Sequence, residues 1–252
     1  MARRYFIKLS YDGTPFHGWQ IQKNAKSIQQ TLNEALSTII RKEIYTVGCG
    51  RTDTGVHALT FYAHFNVDAE ITELESLVFR ANCILPKEIA IDSIFPVEDD
   101  WHTRFSATSR SYIYLIHSAK DPFSVGRSYE FKDALDIETM QTGCALLKVT
   151  KDFTSFSKLH SDTKNNLCDV QFAEWSKTEV GYQFKITANR FLRNMVRALV
   201  GTTLELGIHK IDLDQFQNII DAKDRSAAGY SVPAHGLYLS DITYPAELSM
   251  NG

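Results

Sequence analysis

The chain opens on an alternation. Ile7, Leu9 and Tyr11 alternate with Lys8 and Ser10 over residues 6–11, the period of two that a strand with one buried face requires. Asp12-Gly13-Thr14-Pro15 then supplies turn residues. After Ser27 the period lengthens: Ile28, Leu32, Ala35, Leu36, Ile39 and Ile40 recur on one helical face, and Ser27 with Gln30 has the form of a capping box. Apolar runs at 44–49 and 61–67 predict two strands around a loop at 50–58, followed by a helix at 73–83 and a strand at 89–96. The order is βαββαβ.

Beyond residue 100 the same order recurs less cleanly. Strands are expected at 111–117, 170–175, 183–188 and 237–244. Helices are expected at 137–147, where Ile137, Met140, Cys144 and Leu147 share a face, at 191–206, and at 213–220, where Asp212 and Gln215 form a second capping box. The pattern implies an α+β protein of two ferredoxin-like (RRM-like) halves, residues 1–100 and 101–252, sharing an extended antiparallel sheet with helices packed on one side. No direct sequence repeat marks the duplication.

Composition narrows the class. At 252 residues and 44% hydrophobic, the chain can build a sizeable core. Lys8 and Asp12 interrupt the first apolar stretch before it reaches signal-peptide length, and no later run approaches a membrane span. The four cysteines, Cys49, Cys83, Cys144 and Cys168, are scattered without a CxxC pair, which suits reduced thiols in a cytoplasmic protein. A net charge of −3 argues against a protein that coats nucleic acid, so any RNA site must be a local basic cleft.

The densest chemistry lies in Gly50-Arg51-Thr52-Asp53-Thr54-Gly55-Val56-His57-Ala58. Two glycines, an arginine, an aspartate and a histidine on a loop held between strands could form a reactive site, because glycine lets a ligand approach the backbone. The same residues also read as a polar turn. Asp53-Thr54-Gly55 resembles an aspartic-protease motif, but no second Asp-Thr-Gly or Asp-Ser-Gly occurs to share the proton. His57, His64 and Cys49 lack metal-ligand spacing, so no metal is expected, and the absence of GxGxxG and P-loop patterns leaves a nucleotide cofactor without a cradle.

Two further groupings stand out. On the helix expected after Asn189, Arg190, Arg193 and Arg197 fall on one side with Asn194 and Gly201, either as a solvated basic face or as a site for phosphate or carboxylate with room for close approach at Gly201. Trp101, Phe105, Tyr112 and Tyr114 interleave with Arg104 and Arg110, a mixture suited to stacking bases and holding phosphates. Tyr112 and Tyr114 share a strand face, so one of them is open to a core role.

Taken together, these segments resemble the TruA family of tRNA pseudouridine synthases. The 50–58 loop is similar to that family's catalytic motif. Phe6-Ile7-Lys8-Leu9-Ser10-Tyr11-Asp12-Gly13-Thr14 with Phe16-His17-Gly18-Trp19-Gln20 resembles its N-terminus, and Phe105-Ser106-Ala107-Thr108-Ser109-Arg110-Ser111-Tyr112-Ile113-Tyr114 its tyrosine motif. Asp152-Phe153-Thr154-Ser155-Phe156, then Asn189-Arg190-Phe191-Leu192-Arg193-Asn194-Met195-Val196-Arg197 with Gly201, then Ala234-His235-Gly236-Leu237-Tyr238-Leu239 complete the series. The departures are small: Thr54 stands where the family often has alanine, and Leu59-Thr60-Phe61-Tyr62 replaces a more usual Leu-Gly-Gln stretch.

The resemblance implies isomerisation of uridine to pseudouridine at positions 38, 39 and/or 40 of the tRNA anticodon stem-loop. It implies a homodimer and no cofactor. Asp53 matches the nucleophile, Arg197 the arginine that pairs with it, and Tyr112 the tyrosine that lies on the target base, with Tyr114 as the alternative register. Arg51 resembles the arginine that holds the flipped base out. Arg110, Arg190 and Arg193 are then candidates for phosphate, with Lys23 and Lys26 as outer contacts. A tRNA-binding protein or chaperone without chemistry, and a hydrolase built on Asp53, are the competing classes.

Overall fold

The structure, a computed structural model, describes residues 3–158 and 165–249. The fold class is α+β, as the periodicities predict. The chain forms two compact units, Met1–Thr108 with Leu239–Gly252, and Ser109–Tyr238. The first unit is therefore discontinuous in sequence.

The first unit has the expected βαββαβ order: β1 Arg3–Tyr11, α1 Ile28–Ile40, β2 Val47–Gly48, β3 His57–Val67, α2 Leu74–Ile84 and β4 Ile89–Val97. β1 lies between β3 and β4, antiparallel to both, and β2 adds to β3. The run at 44–49 yields only a two-residue strand, while β3 begins four residues earlier than expected and takes His57 and Ala58 out of the loop. Helix α1 buries Ile28, Leu32 and Leu36 completely, each worth roughly 1.5–3 kcal/mol on removal from water. Ser27 caps it by accepting the Gln30 amide at 3.2 Å. The reciprocal half of the box is missing, because the Gln30 side chain donates to Glu34 instead.

The second unit contains β5 Ser109–His117, β6 Tyr129–Glu130, α3 Ile137–Val149, β7 Val170–Lys177, β8 Gly181–Ala188, α4 Met195–Gly207 and α5 Leu213–Ala222. β8 pairs antiparallel with β5 and β7, whereas β6, which the sequence pattern does not reveal, joins β5 in a short parallel pairing. Helix α5 carries the complete Asp212–Gln215 box, with bonds of 2.7 and 2.9 Å. β9, Leu237–Thr243, starts in the second unit and ends in the first, and a short helix, α6 Ala246–Ser249, follows.

Helix α4 starts later than its hydrophobic periodicity suggests. Phe191 and Leu192 precede it in an irregular segment, and its N-cap, Asn194, sits in the left-handed region at φ 66°. All four cysteines are free thiols. Among the described residues no helix is long and apolar enough to cross a membrane.

Candidate functional site

In the first unit, the Asp53 loop is held from two sides by the segment that follows β1. On the N-terminal side of Asp53, the Thr52 carbonyl accepts the Trp19 amide at 3.2 Å, and the Thr52 hydroxyl lies 2.8 Å from the Tyr11 hydroxyl. On the other side, the Val56 amide donates to the Asp53 carbonyl at 3.1 Å, closing a turn that requires Gly55 at φ 77°. His57, just beyond, is buried with its Nδ1 3.1 Å from the Gly13 amide and 3.1 Å from Asp12 Oδ1. The Gly13 amide donates to Nδ1 and Asp12 stands beside the same nitrogen, so the ring ties the loop to both residues.

Close approach of the two segments explains two glycines. A Cβ on Gly13 would stand 2.0 Å from the Val56 carbonyl oxygen, and one on Gly18 would stand 2.3 Å from that of Thr52. Gly18 also has φ 82°, a region that other L-residues seldom enter. Trp19 anchors the assembly: its ring is 1% exposed, stacks on Phe61 of β3 at 4.2 Å, and presses against Gly48. Asp53 is thereby presented, half-buried, from a backbone fixed by β1, β3 and the start of α1, while Arg51 is exposed. Gly50 differs from the others, since a Cβ there would meet nothing within 4 Å. Open space over its backbone leaves room for a ligand.

In the second unit, β5 carries both tyrosines on one face. Tyr114 is wholly buried, donates its hydroxyl to the Pro233 carbonyl at 2.8 Å, and has its pKa pushed far up by burial. Tyr112 is half-buried and meets Phe191 edge-on at 5.1 Å, so of the pair it is the one with ring surface left to offer. Arg110 donates to the Asn189 carbonyl at 3.0 Å.

The expected arginine face needs correction. Arg190 and Arg193 precede α4, so Arg197 is the only member of the three on the helix. The periodicity misled because Leu192 continues the apolar spacing through a segment that is not helical. Arg190 reaches Asn165 at 3.3 Å and lies near Cys168, whose thiol burial pushes up to about 11. Arg197 donates Nε to the Val232 carbonyl at 2.7 Å, and its own carbonyl accepts the Val232 amide at 3.2 Å. Gly201 serves this same seam rather than a ligand: a Cβ there would lie 1.8 Å from the Tyr230 carbonyl oxygen. In the first unit, Lys23 is exposed and Lys26 sits over the Phe16 ring at 5.4 Å.

A family profile described as tRNA pseudouridine synthase matches residues 144–245. The chain is 50% identical over 246 residues to tRNA pseudouridine synthase A of Parabacteroides distasonis, covering 98% of each. It belongs to the tRNA pseudouridine synthase A family. Relatives of that name in Porphyromonas gingivalis and Bacillus subtilis are 48% and 36% identical, over 97% and 94% of this chain and 98% and 97% of theirs. For this synthase family member, reading motifs one by one missed the residues that brace Asp53: Tyr11, Gly13, Gly18, Trp19, Thr52 and His57. The signal that could have found them is the turn-rich 12–20 segment, whose two glycines have no other local use than the turn itself.

Proposed function

We propose that the chain converts uridine to pseudouridine in the anticodon stem-loop of tRNA, at positions 38, 39 and/or 40, with Asp53 as the nucleophile. The reaction breaks the bond between ribose C1′ and uracil N1, turns the base, and joins C1′ to C5. The proton on C5 leaves to solvent and N1 gains one, so the product is an isomer and the chemistry calls for no redox or group-donating cofactor. A carboxylate whose oxygen is held in one direction can form the covalent intermediate that separates bond breaking from bond making. The observation that carries this reading is the two-sided fixation of the backbone around Asp53 in a chain half identical to a named pseudouridine synthase.

In this proposal Arg197 orients the Asp53 carboxylate, Tyr112 supplies the ring that lies on the target uracil, and Arg51 holds the base outside the helix. Extracting a base costs a few kcal/mol of unstacking, which such contacts must offset. Arg110, Arg190 and Arg193 take phosphates, and the working form is a homodimer in the cytoplasm. Support for these roles is the matching order of motifs along the chain, together with the half-buried position of Tyr112 beside the fully buried Tyr114.

The test uses unmodified tRNA transcripts tritiated at uridine C5. Wild-type protein releases label to water, and Asp53→Asn releases none while still retarding the tRNA in a gel. Full release by Asp53→Asn removes the nucleophile assignment. Retardation without release by the wild type identifies a binding protein, and sequencing the modified transcripts reads the positions.

A further inference from the structure

Phe105 is the most conspicuous apolar side chain of the first unit that no bracing or core role explains. Its ring is 76% exposed. Exposed phenylalanines are common on mobile loops, but the backbone here is tied down at every step. The Arg4 guanidinium donates to the carbonyls of Asp99 and Trp101 at 2.5 and 2.8 Å. Thr103 is wholly buried, with its hydroxyl donating to the Val47 carbonyl at 3.0 Å and its own carbonyl accepting the Tyr244 hydroxyl at 2.6 Å. His102 and Ser106 exchange two bonds, the His102 amide to Ser106 Oγ at 3.0 Å and the Ser106 amide to the His102 carbonyl at 2.9 Å.

The ring itself has a backing. His102 lies 4.4 Å from it, centroid to centroid, and His102 in turn meets the buried His64 ring at 4.7 Å. Nδ1 of His102 accepts the Arg104 amide at 3.0 Å and the Phe105 amide at 3.4 Å, which requires an unprotonated nitrogen. Burial lowers the His102 pKa, and Arg4 and Arg104 lower it further, so the acceptor form is the one present at neutral pH. The exposed Arg104 places its guanidinium 5.5 Å from the centre of the Phe105 ring. The Arg104 guanidinium is thus the cation set beside the ring, while the exposed carboxylates Glu98, Asp99 and Asp100 precede this corner in the chain.

We infer that Phe105 and Arg104 form a second nucleotide platform, on which an unpaired nucleotide of the tRNA other than the target uridine stacks its base on Phe105 and sets its phosphate against Arg104. A rigid exposed ring beside a cation is the arrangement single-stranded RNA uses, since every base has a face to stack and every nucleotide a charge to pair. Holding the ring in place before RNA arrives removes the ordering cost from the binding step. The platform rests on the tRNA substrate of the proposed function, and the Arg104 guanidinium 5.5 Å from the ring centre is placed to pair with the phosphate that each stacked nucleotide carries.

The experiment measures the dissociation constant for an unmodified tRNA transcript, by filter binding across a salt series, together with steady-state tritium release. Phe105→Ala weakens binding roughly 5- to 150-fold, the equivalent of about 1–3 kcal/mol for one lost stack, and raises KM with little change in kcat at saturating tRNA. Phe105→Trp binds like the wild type, whereas Phe105→Leu, which keeps apolar area without a π face, does not restore affinity. Arg104→Gln reduces the slope of log affinity against log salt by about one. Unchanged affinity in Phe105→Ala overturns the platform, as does full rescue by leucine. So does a loss of affinity that tracks dissociation of an oligomer in sedimentation, which would assign the patch to a protein partner. Wild-type protein that binds tRNA but releases no label sinks the proposed activity and leaves the platform to stand or fall on the binding data alone.

Discussion

Substituting Gly18 and Gly50 by alanine separates a glycine that holds the loop from one that leaves room above it. At Gly18 the new methyl would lie 2.3 Å from the Thr52 carbonyl oxygen and 3.1 Å from the Asp53 carbonyl carbon. Relief needs about 1 Å of movement in a backbone that also holds the Trp19–Thr52 bond, and overpacking of this kind costs roughly 1–3 kcal/mol. Holding alanine at φ 82° adds about 1–2 kcal/mol. Together these destabilise by roughly 2–5 kcal/mol, a melting shift of about 4–20 °C for a chain of this size. Because the displaced atoms flank Asp53, a 1 Å error in its direction lowers turnover by about 100-fold in the fraction still folded. At Gly50 no atom lies within 4 Å of the new methyl and φ is not in the positive range, so stability changes by less than about 0.5 kcal/mol. There the loss appears in KM for tRNA. Thermal unfolding by circular dichroism and tritium release are measured on both variants. Wild-type melting and turnover in Gly18→Ala would refute the bracing argument, and a destabilised Gly50→Ala would refute the open space above the loop.

Arg197→Met lowers turnover by orders of magnitude and leaves tRNA affinity nearly intact; it also loses the Nε bond to Val232, so melting falls by the equivalent of about 1.5–3 kcal/mol. Full turnover in that variant removes the assigned pairing with Asp53. Tyr114→Phe strips the partner from the Pro233 carbonyl and costs roughly 1–3 kcal/mol of stability with turnover unchanged, whereas Tyr112→Ala lowers turnover with little effect on melting. The opposite pattern would mean that Tyr114 faces the substrate. His64 contributes a pH dependence: burial, then His102 and Arg4, lower its pKa to about 4 from a normal value near 6.5. The unfolded chain therefore takes up this proton first, so the stability is complete above about pH 6.5 and is lost as pH falls toward 4, up to roughly 3 kcal/mol in all. Guanidinium titrations between pH 4 and 7 measure it, and a His64→Gln variant with the same slope as wild type would assign the loss to other groups.

The elements set by side-chain period and caps were legible in the sequence. Helix α1 follows from six apolar positions after Ser27, and α5 from the Asp212–Gln215 box, because both signals are local. What failed were features decided by distant backbone. Leu192 has helical spacing with Met195 and Val196, yet the chain at Asn194 turns left-handed and only then enters α4. Gly201 looked like clearance for a ligand, and the clearance is taken by the Tyr230 carbonyl. Of the site, the Asp53 loop was visible as a cluster of functional groups. Whether Tyr112 or Tyr114 was core could not be read from alternation, since both occupy the same face and only the Pro233 carbonyl above one of them distinguishes the two.

The bracing also changes what counts as the site. Asp53 by itself is an aspartate in a turn, and an isolated Asp-Thr-Gly says little about chemistry. Its direction is fixed by Thr52 and Val56, theirs by Tyr11, Gly13 and Gly18, and those are held by Trp19 stacked on Phe61 in the core of the same unit. The N-terminal segment and the Asp53 loop, 41 residues apart at the Tyr11–Thr52 contact, therefore act as one mechanical part. As the proposed nucleophile, Asp53 would gain rate from such rigidity, because misdirected oxygens are excluded before substrate binds. It follows that damage to the stack reaches the chemistry without touching it: a variant at Trp19 that still folds should lose turnover more than tRNA affinity, whereas variants on the solvent face of α1 should lose neither.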